Sequence, residues 1–369
     1  MLGLLDKLRR KTFARGIHPP QHKETAEVEI RRLPFPSRLI LPLAQHFGAA
    51  SKPLVHVGQE VVRGEPIAAA DGFMSVPLHA PATGIIESIE LMPSARGPKV
   101  ESIILKVHQG SAQRVLYGAQ RDVETLSPAE VIQAVQDSGM VGLGGAGFPS
   151  HVKLSVPPDH TIDTLVVNGC ECEPYLTTDH RIMLEQGDDL IRGIGFAMQA
   201  VGAERAVIGI EDNKLDAIKK LRELLPKDGP ITVQSVKTKY PQGSEKLLIT
   251  ALLGREVPSG GFPYQVGVVV NNVATLTELG VLLPESEGLI ERVITITGPG
   301  VRKPGNYIVT LGTPLRFVLE QVGFEGSQAH LILGGPMMGT TVASLDVPVT
   351  KPVSGILVMN EHVVRERAA

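Results

Sequence analysis

The densest chemistry in this 369-residue chain lies between Val141 and Lys153, VGLGGAGFPSHVK, where Gly142, Gly144, Gly145 and Gly147 fall within six positions. Glycines at that density let backbone N–H groups approach a ligand closely and point together at an anion. The form G-x-G-G-x-G-F-P is neither a Walker A sequence nor a G-x-G-x-x-G set directly after a first strand. Phe148 closes the run, and Lys153 adds a cation six residues past the last glycine, a spacing suited to a phosphate. The competing reading is a tight structural loop, and the lysine favours a ligand over it.

Four further clusters carry polar groups in positions that chemistry could use. The loop NGCECEPY, Asn168 to Tyr175, supplies the amide of Asn168 and the carboxylates of Glu171 and Glu173 just past an apolar run. Such groups suit sugar hydroxyls and ring nitrogens, and ligands of open α/β sheets bind at that strand end. Cys170 and Cys172 are the chain's two cysteines, and with the nearest histidine at His180 a spectator role fits them better than a metal site. NNVATL places Asn271, Asn272 and Thr275 after the apolar VGVVV, which implies either a polar ligand or a helix N-cap. Glu245 in YPQGSEKLL starts a helix after a glycine turn, and Phe262 in GGFPY could stack on a planar ring.

The elements that must hold these residues change character along the chain. Residues 1–15 alternate Leu2, Leu4, Leu5 and Leu8 with Lys7, Arg9, Arg10, Lys11 and Arg15, the pattern of a basic amphipathic helix that would lie on an anionic membrane or dock on a partner. Residues 16–114 read as short strands broken by Gly and Pro, an all-β barrel or sandwich. Within them VHVGQEVVRGEPIA and LHAPATGIIESI resemble the half-motifs of biotinyl/lipoyl-type domains, but the hairpin Asp71 to Pro77 has no lysine to carry a cofactor arm. Residues 115–288 alternate strands and helices, opening with a helix over 127–138 whose Ser127, Pro128 and Glu130 form a capping signature. Strands are expected at 163–168, 205–211 and 231–238, with helices at 180–202, 213–224 and 244–253, which argues for βαβ units and a parallel sheet. Residues 289–340 return to β, a small β-grasp-like module with a helix near 315–322, and 341–369 reads as a linker.

Composition narrows the function. With 36 Lys+Arg against 39 Asp+Glu the formal charge is −3, and 14 aromatics (9 Phe, 5 Tyr) offer few stacking platforms, so nucleic acid is not an expected partner. Two cysteines are too few for a disulfide framework or a cysteine-ligated cluster, and no apolar run approaches ~20 residues.

Taken in order, G-x-G-G-A-G-F-P-x-x-x-K, N-G-x-E-C-E-P-Y, G-I-E-D-N-K, K-Y-P-x-G, N-N-V-x-T and T-G-x-x-x-x-P-G-N resemble the RnfC subunit of the Rnf complex, a membrane-bound, ion-pumping ferredoxin:NAD oxidoreductase. The resemblance runs from GIHPP (16–20) to LDVPV (345–349), and the central part is also similar to the flavoprotein subunit of respiratory complex I. It implies a barrel-sandwich hybrid domain, a Rossmann-like α/β domain binding FMN and NAD(H), and an SLBB-like β-grasp module. It also implies a peripheral subunit on the cytoplasmic face of the membrane, partnered by other Rnf subunits and passing electrons between NADH and ferredoxin. By motif, the four glycines and Phe148 would line the flavin and dinucleotide pocket, with Lys153 at the FMN phosphate. Asn168, Glu171, Glu173, Asn271, Asn272 and Thr275 would border the flavin, and Glu245 and Phe262 would stand at the dinucleotide. Cys170, Val156 and Ser259 depart from the complex I pattern, Val156 standing where a second stacking Phe would be. Two 4Fe–4S clusters are expected in the family on a later domain, toward which 341–369 would lead. A flavin-dependent cobalamin reductase and a flavin-free scaffold like NqrA of the sodium-pumping NADH:quinone reductase are the alternatives.

Overall fold

The computed structural model describes residues 11–324 and 329–360, so the first ten residues of the helix expected over 1–15 lie outside the described residues, while residues 11–15 are not helical and Lys11 instead forms a parallel bridge with Val236. Among those described, no helix is long and apolar enough to cross a membrane.

The N-terminal part is a β-sandwich of two small antiparallel sheets. One orders the strands Arg38–Pro42, Val100–Val107, Gly84–Met92 and Glu60–Val61; the other Lys52–Pro53, Pro66–Ala69 and Leu78–His79. Leu39, Leu41, Ile67, Ile86, Ile103 and Leu105 fill the space between them. The hairpin at Asp71 to Pro77, where carrier domains present a lysine, is instead tied down: the Met74 carbonyl accepts from Ala49 N–H (3.1 Å), the Ser75 carbonyl from Gln136 Nε2 (3.1 Å), and Phe73 O lies 2.7 Å from His151 Nε2.

The central part is a four-stranded, all-parallel sheet in the order Ile231–Val236, Arg205–Glu211, Thr164–Gly169, Val268–Asn272. Such strands are covered on both faces and so read as continuous apolar runs. Leu165, Val167, Ile208 and Val269 meet the helices Gly187–Val201 and Val273–Glu285 on one side, while Val166, Val207 and Val270 meet Glu245–Leu253 on the other. The strand order reverses between Thr164–Gly169 and Val268–Asn272, both of which end in the clusters singled out above. The helix expected across 180–202 is two, Thr178–Glu185 and Gly187–Val201, broken at Gln186. At that break a side chain on Gly187 would begin 2.7 Å from the Leu224 methyl end, so a larger residue there would have to displace the leucine.

The C-terminal module is a six-stranded mixed sheet, Arg31–Arg32, Gly305–Thr310, Glu291–Thr297, Gly355–Asn360, Ala329–Leu333, Thr340–Val342, packed on the helix Leu315–Val322. It corrects the reading of 341–369 as a linker, because Gly355–Asn360 is inserted between two other strands and Thr340–Val342 adds an edge.

Lys351 locks the three parts together. It is 0% exposed, and its ammonium donates to Pro77 O (2.8 Å) in the sandwich and Gly139 O (2.6 Å) in the central part. Burial, with no carboxylate partner among the described residues, pulls this lysine down to about 7; their own burial, and after it the charge of Lys351, pulls His46 down to about 4 and His79 to about 3. The ordinary lysine value is 10.5, so between pH 7 and 10.5 the unfolded chain carries a proton that the native one does not, and stability rises with pH through that window. Chemical denaturation at pH 7 and pH 9 is expected to show the rise, reduced in Lys351→Met. A variant with the full wild-type slope would show that the lysine is not its source.

Candidate functional site

The glycine loop is a closed turn that exposes its tip. Val141 and Pro149 form an antiparallel bridge, Gly142 N–H donates to Phe148 O (2.7 Å), and Gly147 N–H returns to Gly142 O (3.2 Å). Gly145 has φ +113° and Gly147 φ +64°, conformations that favour glycine. Gly144 to Ala146 stand exposed, and a side chain on Gly145 would meet nothing within 4 Å. Thr275 Oγ1 accepts from Leu143 N–H (2.9 Å), and the buried guanidinium of Arg292, from the C-terminal module, donates to Leu143 O (3.3 Å).

The two asparagines at the neighbouring strand end divide the alternatives left open by the sequence. Asn272 is the helix N-cap: its Oδ1 accepts from Ala274 N–H (2.9 Å) and Thr275 N–H (3.4 Å), and its Nδ2 donates to Asp179 Oδ2 (2.7 Å). Its side chain also lies against Gly144, 3.4 Å from where a Cβ there would sit. Asn271, one residue earlier, is buried, and its amide Nδ2 finds no partner among the described residues. A buried donor without an acceptor is costly, and a ligand acceptor would relieve it.

In the acidic loop most of the expected ligand groups hold the loop itself. Asn168 donates from Nδ2 to Gly243 O (2.8 Å) and accepts from Cys170 N–H (3.0 Å). Glu171, 7% exposed, caps the helix Thr178–Glu185 by accepting from Asp179 N–H (2.9 Å) and His180 N–H (3.4 Å). Glu173 accepts from Met337 N–H (3.0 Å), its other oxygen is buried without a partner among the described residues, and burial pushes its carboxyl up. The Cys170 thiol donates to Gly209 O (3.4 Å), and burial drives it well above its usual value and Cys172 to about 11, so both stay protonated at neutral pH. Lys153 and Glu245, expected at different parts of a ligand, form an ion pair at 2.5 Å, each about one-third exposed. Phe262 is exposed and stacks on Tyr264 (5.6 Å, 12°), which meets His160 edge-on.

Three residues that the sequence left unmarked complete the constellation. Lys23 reaches under the acidic loop. Asp179 is half-buried beside Asn272, with its carboxyl raised to about 7 by desolvation and by Glu171. Arg292 balances Asp179 and Glu278, whose carboxyl burial likewise lifts to about 7. None of them sits in a glycine cluster or at a predicted strand end; they meet only through the tertiary fold.

A Nuo51 FMN-binding domain model matches residues 135–280, an RnfC barrel sandwich hybrid domain model residues 11–109 and an SLBB domain model residues 293–341. The chain is 41% identical over 353 residues to the C subunit of the Na+-translocating ferredoxin:NAD+ oxidoreductase complex of Acetobacterium woodii, covering 95% of this chain and 80% of the relative. It is 38% identical to the C subunit of the proton-translocating ferredoxin:NAD+ oxidoreductase complex of Clostridium ljungdahlii, covering 96% and 78%. Identity is also 38% to the C subunit of the ion-translocating oxidoreductase complex of Edwardsiella ictaluri, covering 97% of this chain but 45% of that one. Among solved structures, a chain of an NAD+-reducing NiFe hydrogenase superposes with TM-score 0.53 at 22% identity over 66% of this chain and 48% of its own, a likeness of fold.

Proposed function

The chain belongs to the RnfC family, the C subunits of ion-translocating ferredoxin:NAD+ oxidoreductase complexes, and on that premise we propose that it is the NADH-binding flavoprotein arm of such a complex. It would sit peripherally on the cytoplasmic face of the membrane and pass electrons between NAD(H) and ferredoxin while partner subunits move Na+ or H+. The observation that carries the reading is the open glycine tip lying against Asn272, with the amide of the preceding residue, Asn271, buried and unpartnered among the described residues. Those groups fit FMN, which needs backbone donors for a phosphate and a side-chain donor for a ring or ribityl oxygen.

When bound, FMN supplies the hydride acceptor and the passage from two-electron to one-electron transfer. The protein's residues bind and orient. Gly144 to Ala146 offer backbone N–H groups to the phosphate, and Lys153 would exchange Glu245 for it. Asn271 would donate to the flavin, and Thr275, Asn272 and Arg292 fix the loop before any ligand arrives, so little ordering cost remains at binding. Phe262 and Phe148 offer aromatic faces to the dinucleotide. Two cysteines cannot ligate a 4Fe–4S cluster, so we place the onward acceptor outside these 369 residues.

Purified protein mixed with FMN is expected to quench flavin fluorescence and to develop a resolved visible flavin spectrum that NADH bleaches. Lys153→Ala should weaken FMN by at least about tenfold, the worth of one hydrogen bond to a charged group. A spectrum that stays that of free flavin, with Lys153→Ala indistinguishable from wild type, would favour the NqrA-like scaffold.

A further inference from the structure

The glycine loop has one wall that the central domain does not supply. Phe47 belongs to the barrel-sandwich domain, a few residues beyond the strand Arg38–Pro42, yet its N–H donates to Gly147 O at 3.0 Å. Its ring stacks on Phe148 with centroids 6.0 Å apart and 30° between planes. Gln45 O lies 3.7 Å from where a Gly147 side chain would begin, so the backbone on either side of His46 hugs the loop. Despite this fixed backbone, Phe47 is 58% exposed. A phenylalanine tied by its backbone to the lip of a candidate ligand loop, with ring surface left in water, is arranged to receive another planar group. Position 156 does not compete for that task, because Val156 packs against the central core.

The resemblance already sets Phe148 at the dinucleotide; we propose that Phe47 extends that aromatic face and takes the adenine ring, so that the nucleotide site is shared between the barrel-sandwich and central domains. The proposal rests on the flavoprotein reading above and deepens it. A π face attracts any nucleobase and needs no hydrogen-bond code, so the contact contributes affinity for the adenosine half without selecting its exocyclic groups. The flavin's ring system is assigned elsewhere, beside Asn271 at the end of Val268–Asn272, which leaves the outer lip to the second ring system of the pair. The arrangement also gives the barrel-sandwich domain, which lacks a carrier lysine, a part in binding.

The test uses the FMN-loaded protein and measures dissociation constants for NADH, ADP-ribose and reduced nicotinamide mononucleotide, which has no adenine. Phe47→Ala is expected to weaken ADP-ribose and NADH by about tenfold while leaving the mononucleotide and FMN as in wild type. Phe47→Trp should restore the adenine-containing ligands. An exposed ring is removed, so thermal melts of both variants should match wild type. Unchanged ADP-ribose affinity in Phe47→Ala, or an equal loss for the mononucleotide, would overturn the proposal. A wild-type protein that binds neither FMN nor ADP-ribose would overturn the flavoprotein reading instead, and this proposal with it.

Discussion

Lys23→Met is expected to lower stability by about 3 kcal/mol or more and to weaken FMN and NADH together, because one ammonium holds the acidic loop in shape. Lys23 Nζ donates to Glu171 O (2.9 Å), Glu173 O (2.8 Å) and Leu176 O. Three carbonyls converge there because the loop curls back on itself, with Tyr175 at φ +70° and its ring stacked on His22 at 4.6 Å. Methionine keeps the length and apolar stem but leaves all three acceptors without their donor, at about 1–3 kcal/mol for each that water does not reach. Burial pulls the Lys23 ammonium down to about 8 against the opposing pull of Glu171. The loop's other end is Glu171, which caps Thr178–Glu185, so loosening the carbonyls also loosens a helix start. A thermal melt should fall by about 5 °C or more. Lys23→Arg, which keeps the charge but cannot gather three carbonyls around one nitrogen, should lie between. A Lys23→Met protein that melts with wild type and binds FMN equally well would show that the loop needs no clamp.

Lys23 also marks the limit of what a sequence can disclose about this site. The glycine cluster, the strand-end asparagines and the acidic loop were visible because glycine density and polar groups after apolar runs are local signals. The strap Gly16 to Lys23, GIHPPQHK, has no period and no cluster, and its lysine matters only because folding brings it under residues about 150 positions away. Asp179 and Arg292 are hidden for the same reason. Their burial is imposed by helices and sheets from different parts of the chain. The central elements were legible where burial on both faces writes continuous apolar runs, as in 205–211, and where caps are local, as at Ser127, whose capping box is present. The break at Gln186 was not, since the apolar pattern runs through it and only the backbone of Gln186, at φ −125° and ψ 31°, leaves the helix. Gly355–Asn360 reads as a short apolar run in a polar tail, and its place as a central strand is set by pairing with Glu291–Thr297 on one side and Ala329–Leu333 on the other, neither of which adjoins it in sequence. Roles proved harder to read than places. Glu171 and Asn168 stand where a ligand residue would stand, but their hydrogen bonds are spent on the loop.

Gly193→Ala is expected to be the most damaging single methyl group in the central domain. The helices Gly187–Val201 and Val273–Glu285 cross so closely that a Cβ on Gly193 would lie 1.7 Å from Leu276 O and 2.9 Å from Gly280 N. The approach is reciprocal, since a Cβ on Gly280 would lie 2.0 Å from Asp189 O. These neighbours are backbone atoms, so no rotamer change relieves the clash and the helices must separate. Alanine favours a helix interior over glycine by about 1 kcal/mol, which the separation has to exceed; overpacking of a close crossing costs about 1–3 kcal/mol and more where backbone must shift. A net loss of about 3 kcal/mol is therefore expected. The second consequence is functional: Val273–Glu285 begins at Asn272 and carries Thr275, the residues that hold Leu143 and pack on Gly144. Moving that helix moves the glycine loop, so FMN affinity should fall along with stability. Gly195→Ala, two residues along, provides the contrast, because its side chain would meet nothing within 4 Å and should stabilise by up to about 1 kcal/mol with FMN binding unchanged. If Gly193→Ala melts as high as Gly195→Ala, the crossing is looser than these distances imply and the helix does not set the loop.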